Sequence, residues 1–261
     1  MDAFSVPDLG ESYKVGKRLH LDGRHEEAVP YLERAQKENP DDPIISVMLA
    51  QSFGMLGRPA DAIRCIDEAL KAMPDGPVLL TRKGIELGRL GRLDEALECL
   101  DGALAADGRH AEALKHKAAT LHRLDRIHEA LACVKRSLEC RPDDPDALKI
   151  WYTISRETGR RGDAIRCLDE LVRLRPDDPT YLAHRALHLY RDGSPGNAIH
   201  DCETALAIEP GHPDSLAVKA LVFCGLGLRD RALACCDEGL SLHPDHVELR
   251  RVRERALGSR G

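Results

Sequence analysis

Residues 91–108 read GRLDEALECLDGALAADG. Glycine stands at both ends, and Ala96, Leu100 and Ala103 fall between them at helical spacing. Residues three and four apart share one face of a helix, and glycine punctuates its ends. Ala96 is the residue to follow outward. Alanine recurs at Ala28, Ala62, Ala96, Ala130, Ala164, Ala198 and Ala232, each 34 residues after the last. A fixed period of this size marks stacked repeats, in which one unit cannot bury its apolar face alone and neighbours supply the core.

With the recurrent alanine as the twentieth residue, seven repeats run 9–42, 43–76, 77–110, 111–144, 145–178, 179–212 and 213–246. Residues 1–8 are a leader and 247–261 a capping helix and tail. Each repeat reads as two helices. The first begins at a junction such as Asp42-Pro43, Asp144-Pro145 or Asp178-Pro179, where Asp can cap orphan amides and Pro suits the first helical position. The turn carries Gly23, Gly57, Gly91, Gly159, Gly193 or Gly227, sites that call for a positive φ after a helix end. Asp125 stands there in the fourth repeat. Pro40, Pro74, Pro142, Pro176, Pro210 and Pro244 close the second helix, with Gly108 in the third repeat. The eighth residue is small in most repeats (Gly16, Ala50, Gly84, Ala118, Ala186, Ala220), so paired helices can approach closely. The fold expected is all-α, a solenoid of tandem helix–turn–helix repeats.

Small residue eight, Ala twenty, a small residue twenty-seven and Pro thirty-two resemble the tetratricopeptide repeat signature across residues 9–246. The resemblance implies a right-handed superhelix, first helices lining a concave face, and a role in holding other proteins without catalysis. The chain departs from the pattern in having few aromatics, which are only 3% of its residues. Repeat five departs further: Trp151-Tyr152 brings bulk where the others are small, and Ser155 is small where they have Leu or Phe. A swap that conserves core volume explains this better than a mid-array contact or hinge.

Composition narrows the function classes. The net charge of -6 argues against a nucleic-acid partner. The opening MDAFSVPDLG has neither a basic nor an apolar region, so no signal peptide is expected. No apolar run is long enough to span a membrane. Arg250, Arg251, Arg253 and Arg255 alternate with a thin stripe of Val247, Leu249, Val252 and Ala256, which suits a solubilising cap better than a membrane-surface helix. A cytoplasmic protein is expected.

Candidate chemistry is sparse. Cys65, Cys99, Cys133, Cys167 and Cys235 share one register, but their separation exceeds what a disulfide spans and no C-x-x-C pair is present, so they read as small core residues. His184 and His188 are one turn apart with no third ligand in register. Gly10 to Lys17 lacks the spacing, the Ser/Thr and the preceding strand of a phosphate loop. No catalytic residue, metal or cofactor is expected.

The first helices carry the functional signal. Their inward stripe holds Lys14, Lys17, Arg82, Arg89, Lys115, Arg123, Lys149, Arg156 and Arg191 against Glu112, Asp146, Glu157 and Asp214. This basic excess opposes the sign of the whole chain. Arg82, Arg89, Lys115, His122, Arg123, Lys149 and Arg156 are therefore the candidate peptide-binding residues. The two-carboxylate clamp of the family's chaperone-tail binders wants Lys and Asn where Tyr13 and Lys17 stand, and no asparagine ladder lines the groove, so neither of those ligand classes is supported. The expected function is a non-enzymatic adaptor that holds an acidic or carboxylate-ended segment of another protein. The alternative is a self-associating scaffold or assembly chaperone, a homo-oligomer.

Overall fold

The computed structural model describes residues 10–40 and 42–258. The expected leader, residues 1–8, and the end of the tail, 259–261, lie outside the described residues. The chain divides into two compact units, Met1–Pro142 and Asp143–Gly261. Among the described residues every regular element is helical.

Unit 1 holds α1 (Glu11–Leu21), α2 (His25–Glu38), α3 (Pro43–Met55), α4 (Pro59–Ala72), α5 (Pro77–Arg89), α6 (Leu93–Ala106), α7 (Ala111–Arg123) and α8 (Ile127–Cys140). Unit 2 holds α9 (Pro145–Glu157), α10 (Arg161–Leu174), α11 (Pro179–Arg191), α12 (Pro195–Ile208), α13 (Pro213–Gly225), α14 (Arg229–Leu242) and α15 (Val247–Gly258). Within each unit every helix packs on the next in tandem, the arrangement of an α-solenoid.

Helix starts follow the expected chemistry. Ile44 N donates to the Asp42 carboxylate at 2.8 Å, Asp146 N and Ala147 N to Asp144 at 2.9 and 3.1 Å, and Thr180 N to Asp178 at 3.0 Å. Sequence reading missed a second capping residue in the same register. His110, His212 and His246 accept through Nδ1 from Ala113 N, Ser215 N and Leu249 N at 3.2, 3.3 and 3.3 Å. A 34-residue step back from Asp144 reaches His110, and steps forward from Asp178 reach His212 and then His246, so periodicity carried the signal.

The turns behave as read. Gly57 has φ 68°, and Arg58 N reaches back to Phe53 O at 2.8 Å, which satisfies a helix-terminal carbonyl. Asp125 takes φ 58° and Arg126 N makes the matching bond to Leu121 O at 2.9 Å. Asp is among the residues that visit this region most readily.

The recurrent alanine is the packing centre: Ala28, Ala62, Ala96, Ala130, Ala164, Ala198 and Ala232 are all fully buried. Its partner site shows why size matters. A Cβ placed on Gly84 would sit 2.8 Å from Leu100 Cγ and 3.1 Å from the Ala96 carbonyl oxygen. The residue four past each alanine fills the gap beside it, as Leu32, Ile66, Leu100, Val134, Leu168, Cys202 and Cys236, all with no exposed surface. In repeat five Tyr152 and Ser155 are both buried, consistent with a volume-conserving swap.

The periodic thiols belong to this core. Cys65, Cys133 and Cys167 are buried, Cys99 and Cys235 half-buried. Burial pushes the Cys65 thiol up to about 11 and that of Cys202 up to about 12. A thiol held that high is a poor nucleophile at neutral pH.

Candidate functional site

The candidate residues divide between the two units. Arg82, Arg89, Lys115, His122 and Arg123 lie on α5 and α7 in unit 1, and Lys149 and Arg156 lie on α9 in unit 2.

In unit 1 glycine seats the arginines. A Cβ on Gly54 of α3 would meet Arg89 Nη1 at 2.5 Å and Glu86 Oε1 at 2.8 Å. One repeat later Arg123 Nη1 donates to the Gly88 carbonyl of α5 at 2.5 Å. Arg89 and Arg123 thus cross the C-terminal turn of the preceding first helix. A cation near such carbonyls is favoured by the helix dipole.

The inward acids are more numerous than the stripe suggested. Glu86 is fully buried and accepts from Arg89 Nη1 at 3.0 and 3.1 Å. It lies off the expected stripe, so the sequence count of groove charges omitted it. Glu112 gathers three nitrogen partners: Lys115 Nζ at 3.0 Å, His116 Nε2 at 3.0 Å and Arg141 Nη1 at 3.7 Å. The His116 hydrogen bond, with those from Lys115, holds the Glu112 carboxyl down at about 2 against the burial that raises it. Lys115 is itself buried. Much of the basic excess is therefore balanced locally, and Glu112 does more than stabilise the first turn of α7.

Arg82 is different. It is half-buried on α5 and makes neither a hydrogen bond nor an ion pair among the described residues. Burial lowers its pKa, while the charges of Glu86 and Glu112 pull it back up. His122 is half-buried beside the exposed Arg123 at the end of α7.

In unit 2 Lys149 pairs with Asp146 at 3.2 Å, and Arg156 approaches Glu157 at 3.8 Å. Arg156 also lies over the Tyr152 ring, 5.8 Å from its centroid. Tyr152 stacks on His184 at 5.6 Å and meets His188 edge-on at 5.8 Å. Burial is the main cause that lowers the pKa of both histidines. The two histidines, one turn apart on α11, pack a tyrosine. Among the described residues no cluster of three His, Cys, Asp or Glu side chains has a metal-binding arrangement. No described helix is long and apolar enough to cross a membrane.

Tandem helical hairpins packed on a small-residue seam define an all-α solenoid of helical repeats. Two family profiles, both described as tetratricopeptide repeat, match residues 19–81 and residues 81–145 with 156–213. The chain belongs to the tetratricopeptide repeat family, whose members generally mediate protein–protein interactions. No curated protein sequence matches it. Solved structures do. The C-terminal part of a TPR repeat-containing protein from Cytophaga hutchinsonii aligns with TM-score 0.70 at 15% identity, over 92% of this chain and 98% of that one. YrrB, a TPR protein with an unusual peptide-binding site, aligns with TM-score 0.64 at 18% identity, over 72% and 97%. PilF of Pseudomonas aeruginosa gives TM-score 0.64 at 18% identity, over 80% and 95%. At these identities the likeness is one of fold.

Proposed function

We propose that the chain is a non-enzymatic, cytoplasmic adaptor, and that the first-helix face of unit 1 holds an acidic segment of a partner protein. The observation that carries this reading is Arg82, a half-buried guanidinium that makes no hydrogen bond or ion pair among the described residues and feels Glu86 and Glu112 only through their charge, set on the same helix as Arg89. A guanidinium offers five donors in a fixed fork, and a carboxylate satisfies them in pairs. Arg123, exposed on the neighbouring α7, supplies a second contact. Lys149 and Arg156 of unit 2 each already face a carboxylate. A peptide-binding site on YrrB, a protein of the same fold, adds support.

The test is capture of acidic and neutral peptides by the full chain at two salt concentrations. The wild type should prefer acidic peptides and lose them at high salt, because exposed charge contacts are screened. The double variant Arg82→Glu, Arg123→Glu should retain its helicity and lose that preference. Capture that ignores both salt and the double variant would favour a self-associating scaffold held by apolar contacts.

A further inference from the structure

Ile44 and Val78 occupy the second position of two adjacent repeats, where later repeats carry Glu112, Asp146 and Asp214. Both are left open: Ile44 is 57% exposed, Val78 53% and nearby Met73 41%. With Val47, Met48 and Leu79 they line a cup of about 250 Å³ that no polar side chain enters. The cup lies at the N-terminal ends of α3 and α5, wholly inside unit 1. An exposed apolar recess beside charged surface is a mark of an interaction site.

Arg82 follows Val78 by four residues on α5 and so lies one turn along the same face. Four residues of helix advance about 6 Å. Two residues of extended chain advance about 7 Å and put both side chains on one side. The apolar recess and the unpaired guanidinium are thus spaced as a pair of contacts for one short extended segment.

We infer that the Ile44–Val78 cup and Arg82 form a two-part subsite for a partner segment carrying a large aliphatic or aromatic side chain and a carboxylate two residues apart. This rests on the adaptor reading and names its partner. The apolar side chain fills the cup, which supplies affinity through burial. The carboxylate accepts from Arg82, which supplies register and a penalty against neutral analogues, since a half-buried guanidinium left unmatched costs binding energy. Glu112, tied to Lys115, His116 and Arg141 further along the face, limits how many acids the segment can usefully carry. A run of acids without the apolar anchor is the poorer ligand.

The experiment is fluorescence anisotropy of labelled decapeptides on the full chain. The set contains Leu-x-Glu, Ser-x-Glu, Leu-x-Gln, and Leu directly followed by Glu. Leu-x-Glu should bind at least about tenfold tighter than each of the other three. Val78→Ser, a change at an exposed site, should erase the Leu–Ser difference and keep the Glu–Gln difference. Arg82→Gln should do the reverse. The proposal is overturned if Leu and Ser peptides bind the wild type alike, or if Val78→Ser leaves their difference intact. It is also overturned if the wild type sediments as a dimer that Val78→Ser converts to monomer, since the cup then holds a second copy. Salt-sensitive binding of Glu peptides with no gain from Leu would sink the subsite alone. No preference for Glu in any peptide would sink the adaptor reading with it.

Discussion

Unit 1 and unit 2 are built on one seam and present different faces. Both bury the recurrent alanine, and in both an ion pair between residues sixteen apart joins several second helices to the helix that follows; from α2 to α3 that register holds Glu33 and Leu49. In unit 1 these are Asp67 with Lys83 at 2.7 Å and Asp101 with Lys117. In unit 2 they are Asp169 with Arg185 at 2.9 Å, Glu203 with Lys219 at 3.1 Å and Asp237 with Arg253 at 2.7 Å. The same register between these sets holds Lys135 and Trp151. Away from the seam the units diverge. Unit 1 offers glycine-seated arginines, the half-buried Arg82 guanidinium that makes no hydrogen bond or ion pair among the described residues, and an apolar cup. Unit 2 has an aromatic–imidazole cluster on Tyr152, carboxylates matched to its α9 cations, and a bidentate pair between Arg185 and the buried Asp201, both bonds at 2.8 Å. The period constrains packing positions, and positions off the seam are free to carry function.

The comparison predicts where each unit breaks. Tyr152→Ala empties a buried aromatic site and should cost unit 2 about 3–5 kcal/mol. Urea unfolding would then show an early transition, while Ala130→Leu, which overpacks the unit 1 seam by roughly 1–3 kcal/mol, should move the other transition. A single transition displaced equally by both changes would mean that the two units unfold as one.

The ion pairs should rank by burial. Asp201→Ala strips two charge-assisted bonds from Arg185 and should cost about 2–3 kcal/mol. Asp67→Asn, at a largely exposed pair, should cost below about 1 kcal/mol. Equal losses in calorimetry would show that the Arg185 pair is no more desolvated than the others.

Glu112 gives a smaller effect that is specific to unit 1. Its carboxyl titrates near 2 when folded against an ordinary 4.5, so its contribution is complete above pH 4.5 and disappears as pH falls through about 2. Glu112→Gln should therefore flatten the acid limb of the stability profile between those values and leave neutral-pH helicity unchanged. An acid limb identical to that of the wild type would contradict the cluster of Lys115, His116 and Arg141 on Glu112.

The fold was legible because its signals are periodic. Gly57, Asp125, Pro142 and Ala96 each have counterparts one repeat away, and a local reading at any one of them is corrected by the others. The histidine caps were legible in the same way and were missed, because histidine was weighed only for metal ligation, which the spacing did not support, and not as an acceptor for helix-start amides. The site was legible only in part. Arg82, Arg89, Lys115 and Arg123 were picked from the stripe, but Glu86 lies one position outside it and reaches Arg89 through a rotamer choice. The Glu112 cluster needs Arg141 from the end of α8, 29 residues on. The cup depends on Ile44 and Val78 both remaining uncovered, which sequence spacing does not disclose.

The central claim is that unit 1 recognises a carboxylate through Arg82. The direct test is the affinity of the full chain for the Leu-x-Glu peptide and its Leu-x-Gln partner, with wild type and Arg82→Gln, at low and high salt. The account predicts a wild-type preference for Glu of about tenfold at low salt that shrinks at high salt and is absent in Arg82→Gln. A Glu preference of the same size in Arg82→Gln, or none in the wild type, would contradict it.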